Sequence, residues 1–173
     1  ALSSADLDND GLSDLLISAP GTNSDTGTVY VVFGRDMPAF QATLDIHTIA
    51  SLSFEGAAPG DRFGMGLEGV GDLDADGDDE FLVSSPHGNE DTGVIYLVPG
   101  FYDASGVYPI EEEFAPSITP NALKAVRFLG ETGDELLEAK LAGDLNSDGY
   151  VDFIFGAPGH GREANSAGAA YLV

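Results

Sequence analysis

The sequence predicts an all-β protein assembled from repeated, four-stranded antiparallel units, and three observations predict it. A nine-residue acidic loop occurs three times, as DLDNDGLSD from Asp6, DLDADGDDE from Asp72 and DLNSDGYVD from Asp144. A proline follows 14 residues after the first Asp of each copy, at Pro20, Pro86 and Pro158. Between loop and proline lie short apolar runs, LLIS, FLVS and FIFG, whose length and bounding turn residues suit buried strands rather than helices.

The rest of each unit follows from the same register. A tyrosine stands 10 residues after the proline twice, at Tyr30 and Tyr96, and 13 after it in the third copy, at Tyr171, which has a longer loop. A glycine precedes each tyrosine by three residues, at Gly27, Gly93 and Gly168, within the strands VYVVFG, VIYLVPG and AAYLV. Ahead of the second and third loops, GDRFGMGLEGVG and GDELLEAKLAG supply a strand running into the loop. Before these, LSFEG and VRFLG supply the last strand of the preceding unit. Four short strands joined by turns, repeated at spacings of 66 and 72 residues, are the content of a propeller blade. The expected units are 1–59, 60–132 and 133–173 of one partial β-propeller.

The loops have the spacing of a calcium site. A hard cation takes six to eight oxygens, and short carboxylates at positions 1, 3 and 5 converge when the chain curls. The candidate donors are Asp6, Asp8 and Asp10; Asp72, Asp74 and Asp76; and Asp144, Asn146 and Asp148. Position 6 is Gly11, Gly77 or Gly149, which permits the sharp turn. Position 7 offers a backbone carbonyl from Leu12, Asp78 or Tyr150, and position 9 a last carboxylate from Asp14, Glu80 or Asp152. An EF-hand would need a bidentate Glu at position 12, where this chain has Ile17, Val83 and Phe155. About three Ca²⁺ ions are therefore expected. An isolated Asp-Gly turn is ordinary, but three in fixed register are not.

These residues resemble the FG-GAP repeats of integrin alpha-subunit β-propellers and of many bacterial surface proteins. The resemblance rests on Phe63-Gly64, on the Gly-Ala-Pro at Gly156–Pro158 with its variants Ser18-Ala19-Pro20 and Ser84-Ser85-Pro86, and on the three acidic loops. It covers almost the whole chain. It implies that the loop joining the first two strands of each blade binds Ca²⁺, on the face opposite the main ligand surface. One departure stands in the third unit, where Leu136-Leu137 replaces Phe-Gly.

Some 173 residues make two and a half to three blades, too few to close a ring on their own. Five residues precede Asp6, where the second unit has twelve from Gly60 to Asp72, and Val173 lies within a third strand. The expectation is that a longer chain or neighbouring subunits supply the missing strands, with a filament as the outcome of head-to-tail pairing that does not close.

Composition narrows the function. Thirty acidic against six basic residues give a net charge of −24, and the dispersed cations Arg35, Arg62, Lys124, Arg127, Lys140 and Arg162 argue against nucleic acid. Cysteine is absent, and no apolar run reaches membrane-spanning length, so no membrane insertion is expected. The histidines His47, His87 and His160 carry no nucleophile or paired base in their motifs, so the chain is expected not to be an enzyme. The leading expectation is a calcium-binding structural or adhesive module at the cell surface or in an extracellular assembly, with other protein chains as partners. The alternatives are a non-catalytic domain of a secreted enzyme and a carbohydrate-binding module, whose best-placed aromatics would be Tyr102 and Tyr108. The acidic run Glu111–Glu113 is expected to be solvated surface, and Asn121–Val126 a helical turn.

Overall fold

In a computed structural model, which describes residues 1–37, 43–100, 125–161 and 167–173, the chain forms three antiparallel sheets. The first contains β1 (Leu2–Ala5), β2 (Asp14–Ala19), β3 (Thr28–Val32) and β4 (Leu52–Glu55), paired in sequence order. The second repeats this with β5 (Leu67–Gly71), β6 (Glu80–Ser85), β7 (Val94–Val98) and β8 (Val126–Leu129). The third has β9 (Glu138–Gly143), β10 (Asp152–Ala157) and β11 (Ala169–Leu172). These are propeller blades, and they do not close into a ring. Val126 opens β8 rather than ending a helical turn. Residues 121–124, with Tyr102, Tyr108 and Glu111–Glu113, lie outside the described residues.

Strand alternation decides how the blades stack. Successive side chains of a strand point to opposite faces, so a strand with both faces covered must be apolar throughout. In β6, Phe81 and Val83 enter a core shared with Leu16, Val29, Val31 and Phe54 of the first blade. Leu82, between them, enters a second core with Ala139, Phe153 and Phe155 of the third. The second strand of the middle blade is thus covered on both faces, and every residue of β6 is buried. Each outer blade is less covered on its outward face. Leu15 and Ile17 are half-buried, and Ile154, which matches the fully buried Leu16 and Leu82 in register, is 43% exposed. Its cross-strand partner Leu172 is exposed too.

The repeated glycine before each tyrosine has a steric cause. Gly27 has φ +87°, and a Cβ there would lie 2.2 Å from the Phe63 carbonyl oxygen. The Phe63 amide donates to the Thr26 carbonyl at 3.0 Å, so the turn ahead of β5 is pressed onto the start of β3. The same contact recurs one blade later, where a Cβ on Gly93 (φ +79°) would lie 2.2 Å from the Leu136 amide nitrogen. Leu136 thus takes the place of Phe63, and both are buried. The Leu136-Leu137 departure leaves β9 intact because the position requires a buried apolar side chain rather than an aromatic one.

Gly27→Ala is expected to cost about 3 kcal/mol, from left-handed backbone strain plus displacement of the Phe63 turn. Gly168→Ala, where the nearest atom to an added Cβ is 3.5 Å away, should carry only the strain, about 1 kcal/mol. Urea unfolding of both variants measures the difference.

Candidate metal centre

Each acidic loop joins the first and second strands of its blade, and the three share one backbone design. Position 4 is left-handed at Asn9 (φ 54°), Ala75 (φ 62°) and Ser147 (φ 62°), and position 6 at Gly11, Gly77 and Gly149. Two left-handed residues in three curl the chain tightly enough to aim alternate side chains inward. Carboxylates fix that curl. Asp10 Oδ1 accepts the Leu12 amide at 2.8 Å, Asp76 Oδ1 the Asp78 amide at 3.3 Å, and Asp148 Oδ1 the Tyr150 amide at 2.9 Å. Asp6 accepts the amides of Asp10 and Gly11, and Asp144 those of Asp148 and Gly149, at 3.0 to 3.1 Å. The position 9 carboxylates Asp14, Glu80 and Asp152 reach back to the amides of Leu7, Leu73 and Leu145, at 2.7 to 2.8 Å.

Donor oxygens are brought together in two loops. One oxygen from each of Asp6, Asp8 and Asp10 lies within 4.8 Å of the others. The second loop gathers Asp72, Asp74 and Glu80, and also Asp76, Asp78 and Glu80, by the same measure. Among the described residues no such carboxylate triad forms in the third loop, whose position 3 is Asn146. There Asn146 Oδ1 accepts the Asp148 amide at 2.9 Å. Asp14 faces the amides of Leu7 and Gly34 and stands outside the first triad. The side chain of Asp78 is a donor that sequence reasoning missed, having assigned that residue a carbonyl role alone. Its one signal was that position 7 is acidic only in this loop.

The electrostatics are those of crowded anions. Burial first, then the charges of Asp10 and Asp6, push the Asp14 carboxyl above its ordinary range, against the amides of Gly34 and Leu7. Glu80 is raised likewise by burial and by Asp74 and Asp76. Asp76 is lowered, foremost by hydrogen bonding with the Asp78 side chain and then by the Asp78 amide, against burial. Asp8 is buried, and its Oδ1 accepts no hydrogen bond, while the Arg35 guanidinium pairs with its other oxygen. An all-oxygen donor set with a buried, unsatisfied carboxylate oxygen fits a hard divalent cation.

The FG-GAP repeat model matches residues 1–32 and 141–173, which contain the first and third loops with their following strands. Those two stretches match as FG-GAP repeats. The chain is 31% identical over 182 aligned residues to the phosphatidylinositol-glycan-specific phospholipase D of Bos taurus, covering 99% of this chain and 20% of that protein. It is 29% identical to integrin alpha-5 of Xenopus laevis, over 92% of this chain and 14% of that protein, and 29% identical to integrin alpha-PS5 of Drosophila melanogaster, over 89% and 14%. The chain thus spans about a fifth or less of these relatives' length.

A second polar cluster sits at the entry to the third blade. Asp134, 1% exposed, accepts from the Glu131 amide and from Tyr171 Oη at 2.8 Å, and its Oδ1 lies 2.6 Å from His160 Nδ1. His160 therefore has a carboxylate partner 26 residues away, which its local motif did not reveal. The Tyr171 phenol is pushed up to about 12, first by its bond to Asp134, which makes it a poor nucleophile at neutral pH. Burial raises the Asp134 carboxyl, but the Glu131 amide, His160 and Tyr171 outweigh it, and the net shift is downward.

A lowered folded-state carboxyl contributes stability above its unfolded value of 3.8 and loses it as pH falls through the folded value. Asp134→Asn should therefore flatten the acid limb of the stability curve below about pH 4. Urea midpoints from pH 2 to 6 check this, and the wild-type protein should lose more over that range than the variant.

Proposed function

We propose that this FG-GAP module binds Ca²⁺ in its acidic loops and uses the ions to hold its blades in a structural or adhesive role outside the cell. The buried Oδ1 of Asp8 carries the reading, because a buried carboxylate oxygen that accepts no hydrogen bond is costly, and Arg35 pairs only with the other oxygen. In the first loop Asp6, Asp8 and Asp10 would hold the ion with the Leu12 carbonyl and Asp14. In the second, Asp72, Asp74, Asp76, the Asp78 carbonyl and Glu80 would do so. In the third, Asp144, Asn146, Asp148, the Tyr150 carbonyl and Asp152 form the set. The ion supplies positive charge where like charges otherwise repel, and three would bring the net charge from −24 to about −18. The chain's residues supply orientation, since position 1 and 5 carboxylates are already fixed by loop amides.

The extracellular setting is supported by the likeness to integrin alpha chains and by millimolar calcium as the range weak loop sites require. No described helix is long and apolar enough to cross a membrane. Partner chains are supported by the outer faces of the stack. Ile154 stands uncovered where its equivalents Leu16 and Leu82 are fully buried against a following blade, and Leu172 beside it is exposed. A second reading, a non-catalytic module attached to an enzyme, is favoured by similarity along 99% of the chain to a fifth of a phospholipase D.

With Kd near 10⁻⁴ M in about 1 mM Ca²⁺, each site should add roughly 1.4 kcal/mol, or about 4 kcal/mol for three. Thermal melting with and without EGTA tests this, and an unmoved transition would sink the calcium reading. Sedimentation velocity tests the partner surface. The chain in Ca²⁺ should self-associate with rising concentration, and Ile154→Asp should weaken that association at least tenfold; a monodisperse wild-type monomer would refute self-assembly.

A further inference from the structure

The two carboxylate-rich loops differ in one respect that their shared motif does not disclose. Gly34 and Gly100 occupy the same place in the first and second blades, each donating its amide to the position 9 carboxylate of its loop, Asp14 or Glu80. The residue that follows Gly34 is Arg35, and the one that follows Gly100 is Phe101. Arg35 turns back over the first loop. Its Nη1 pairs with Asp8 and lies 3.6 Å from Asp10 Oδ2. Its guanidinium carbon stands 4.5 Å from the centroid of the Phe33 ring, which supports the side chain from below. Phe33 is itself buried in the core, so this platform is fixed.

Asp8 and Asp10 are two of the three carboxylates that converge in that loop. A guanidinium on them occupies the donor oxygens that a divalent ion would need. We propose that Arg35 is a tethered competitor for the cation, setting the first loop to a higher calcium threshold than the second. The inference rests on the calcium reading of the loops. Arginine is suited to the task because it is always protonated and weakly hydrated, so it can sit on a carboxylate pair without the desolvation cost of an ammonium. It carries one charge where Ca²⁺ carries two, and its side chain is 41% exposed, so it can yield to the ion and swing into solvent. The result is a graded module, with one loop filled at low calcium and its neighbour only when calcium is high.

Each loop contains a glycine at position 6, and the amides of Gly11 and Gly149 donate to Asp6 and Asp144, so ¹⁵N labelling of glycine and arginine gives a reporter in every loop and on Arg35. The 173-residue chain is stripped with EGTA and titrated with CaCl₂ by NMR. In the wild type, the Gly11 resonance should move at a higher calcium concentration than Gly77, and the Arg35 Nε resonance should move with Gly11. Arg35→Ala should lower the Gly11 midpoint roughly tenfold and leave Gly77 unchanged, as expected for loss of one partly buried charge pair. Arg35→Gln, which keeps a planar group over Phe33 without the charge, should do the same and separates competition from packing. A Gly11 midpoint that stays in place or rises in both variants overturns the competitor role while leaving calcium binding intact. Calcium that moves none of the three glycines in any of these proteins overturns the calcium reading and the competitor with it.

Discussion

The structure depends on one hydrogen bond made three times. In each blade the carboxylate that opens the second strand accepts the amide of the second loop residue: Asp14 from Leu7, Glu80 from Leu73 and Asp152 from Leu145. A charge-assisted bond of this kind, made by a buried carboxylate, closes the loop at its base. It pins the first strand's exit to the second strand's entry, and so fixes the register of the pair. Everything above the bond is then a short curl with no freedom to open, and everything below it is a sheet. The cost is a carboxylate held among other carboxylates, with burial and neighbouring charges raising Asp14 and Glu80 against the amides that support them.

Stacking follows from alternation. A middle blade with apolar residues on both faces has no solvent side, and its neighbours must supply the cover. Phe81 and Val83 look one way and Leu82 the other, into cores that meet only through the sheet between them. Gly27 and Gly93 bring the next blade's entry turn against the preceding one, so each joint combines apolar burial with backbone contact that admits no side chain. The design is additive in the manner of repeat proteins, where each unit is stabilised by the one beside it.

Much of this was legible in the sequence because the determinants are local. The apolar runs after each loop, the glycine at position 6 and the strands ending at Gly56 and Gly130 appear where spacing places them. What was not legible is long-range or hidden by residue type. Left-handed position 4 is announced by Asn9 but not by Ala75 or Ser147, which adopt it under the constraint of the curl. Leu136 in place of Phe63 looked like a departure until both were seen filling one buried seat against a glycine. The pairing of His160 with Asp134 joins residues 26 apart on either side of two strands, and the approach of Arg35 to Asp8 depends on β3 lying beside β2, which no local pattern encodes. A lone glycine three residues before a tyrosine was visible as a regularity. Its cause was not, because the atom it avoids belongs to the next repeat.

The first two loops are also tied to one another. The Asp6 amide donates to Asp79 Oδ2, and the Asp79 amide donates to the Asp6 carbonyl, both at 2.8 Å, while the Asn9 side chain lies against Gly77. The third loop has Val151 where the second has Asp79, and nothing lies within 4 Å of a Cβ on Gly149. This seam uses the Asp6 backbone and the Asp79 side chain, so it fixes the spacing of the two loops without occupying a donor oxygen of either triad. At the acidic end the first two blades are therefore joined loop to loop, whereas the second and third are joined lower down, by Ser84 Oγ donating to the Leu137 carbonyl and by the Lys140–Glu68 pair.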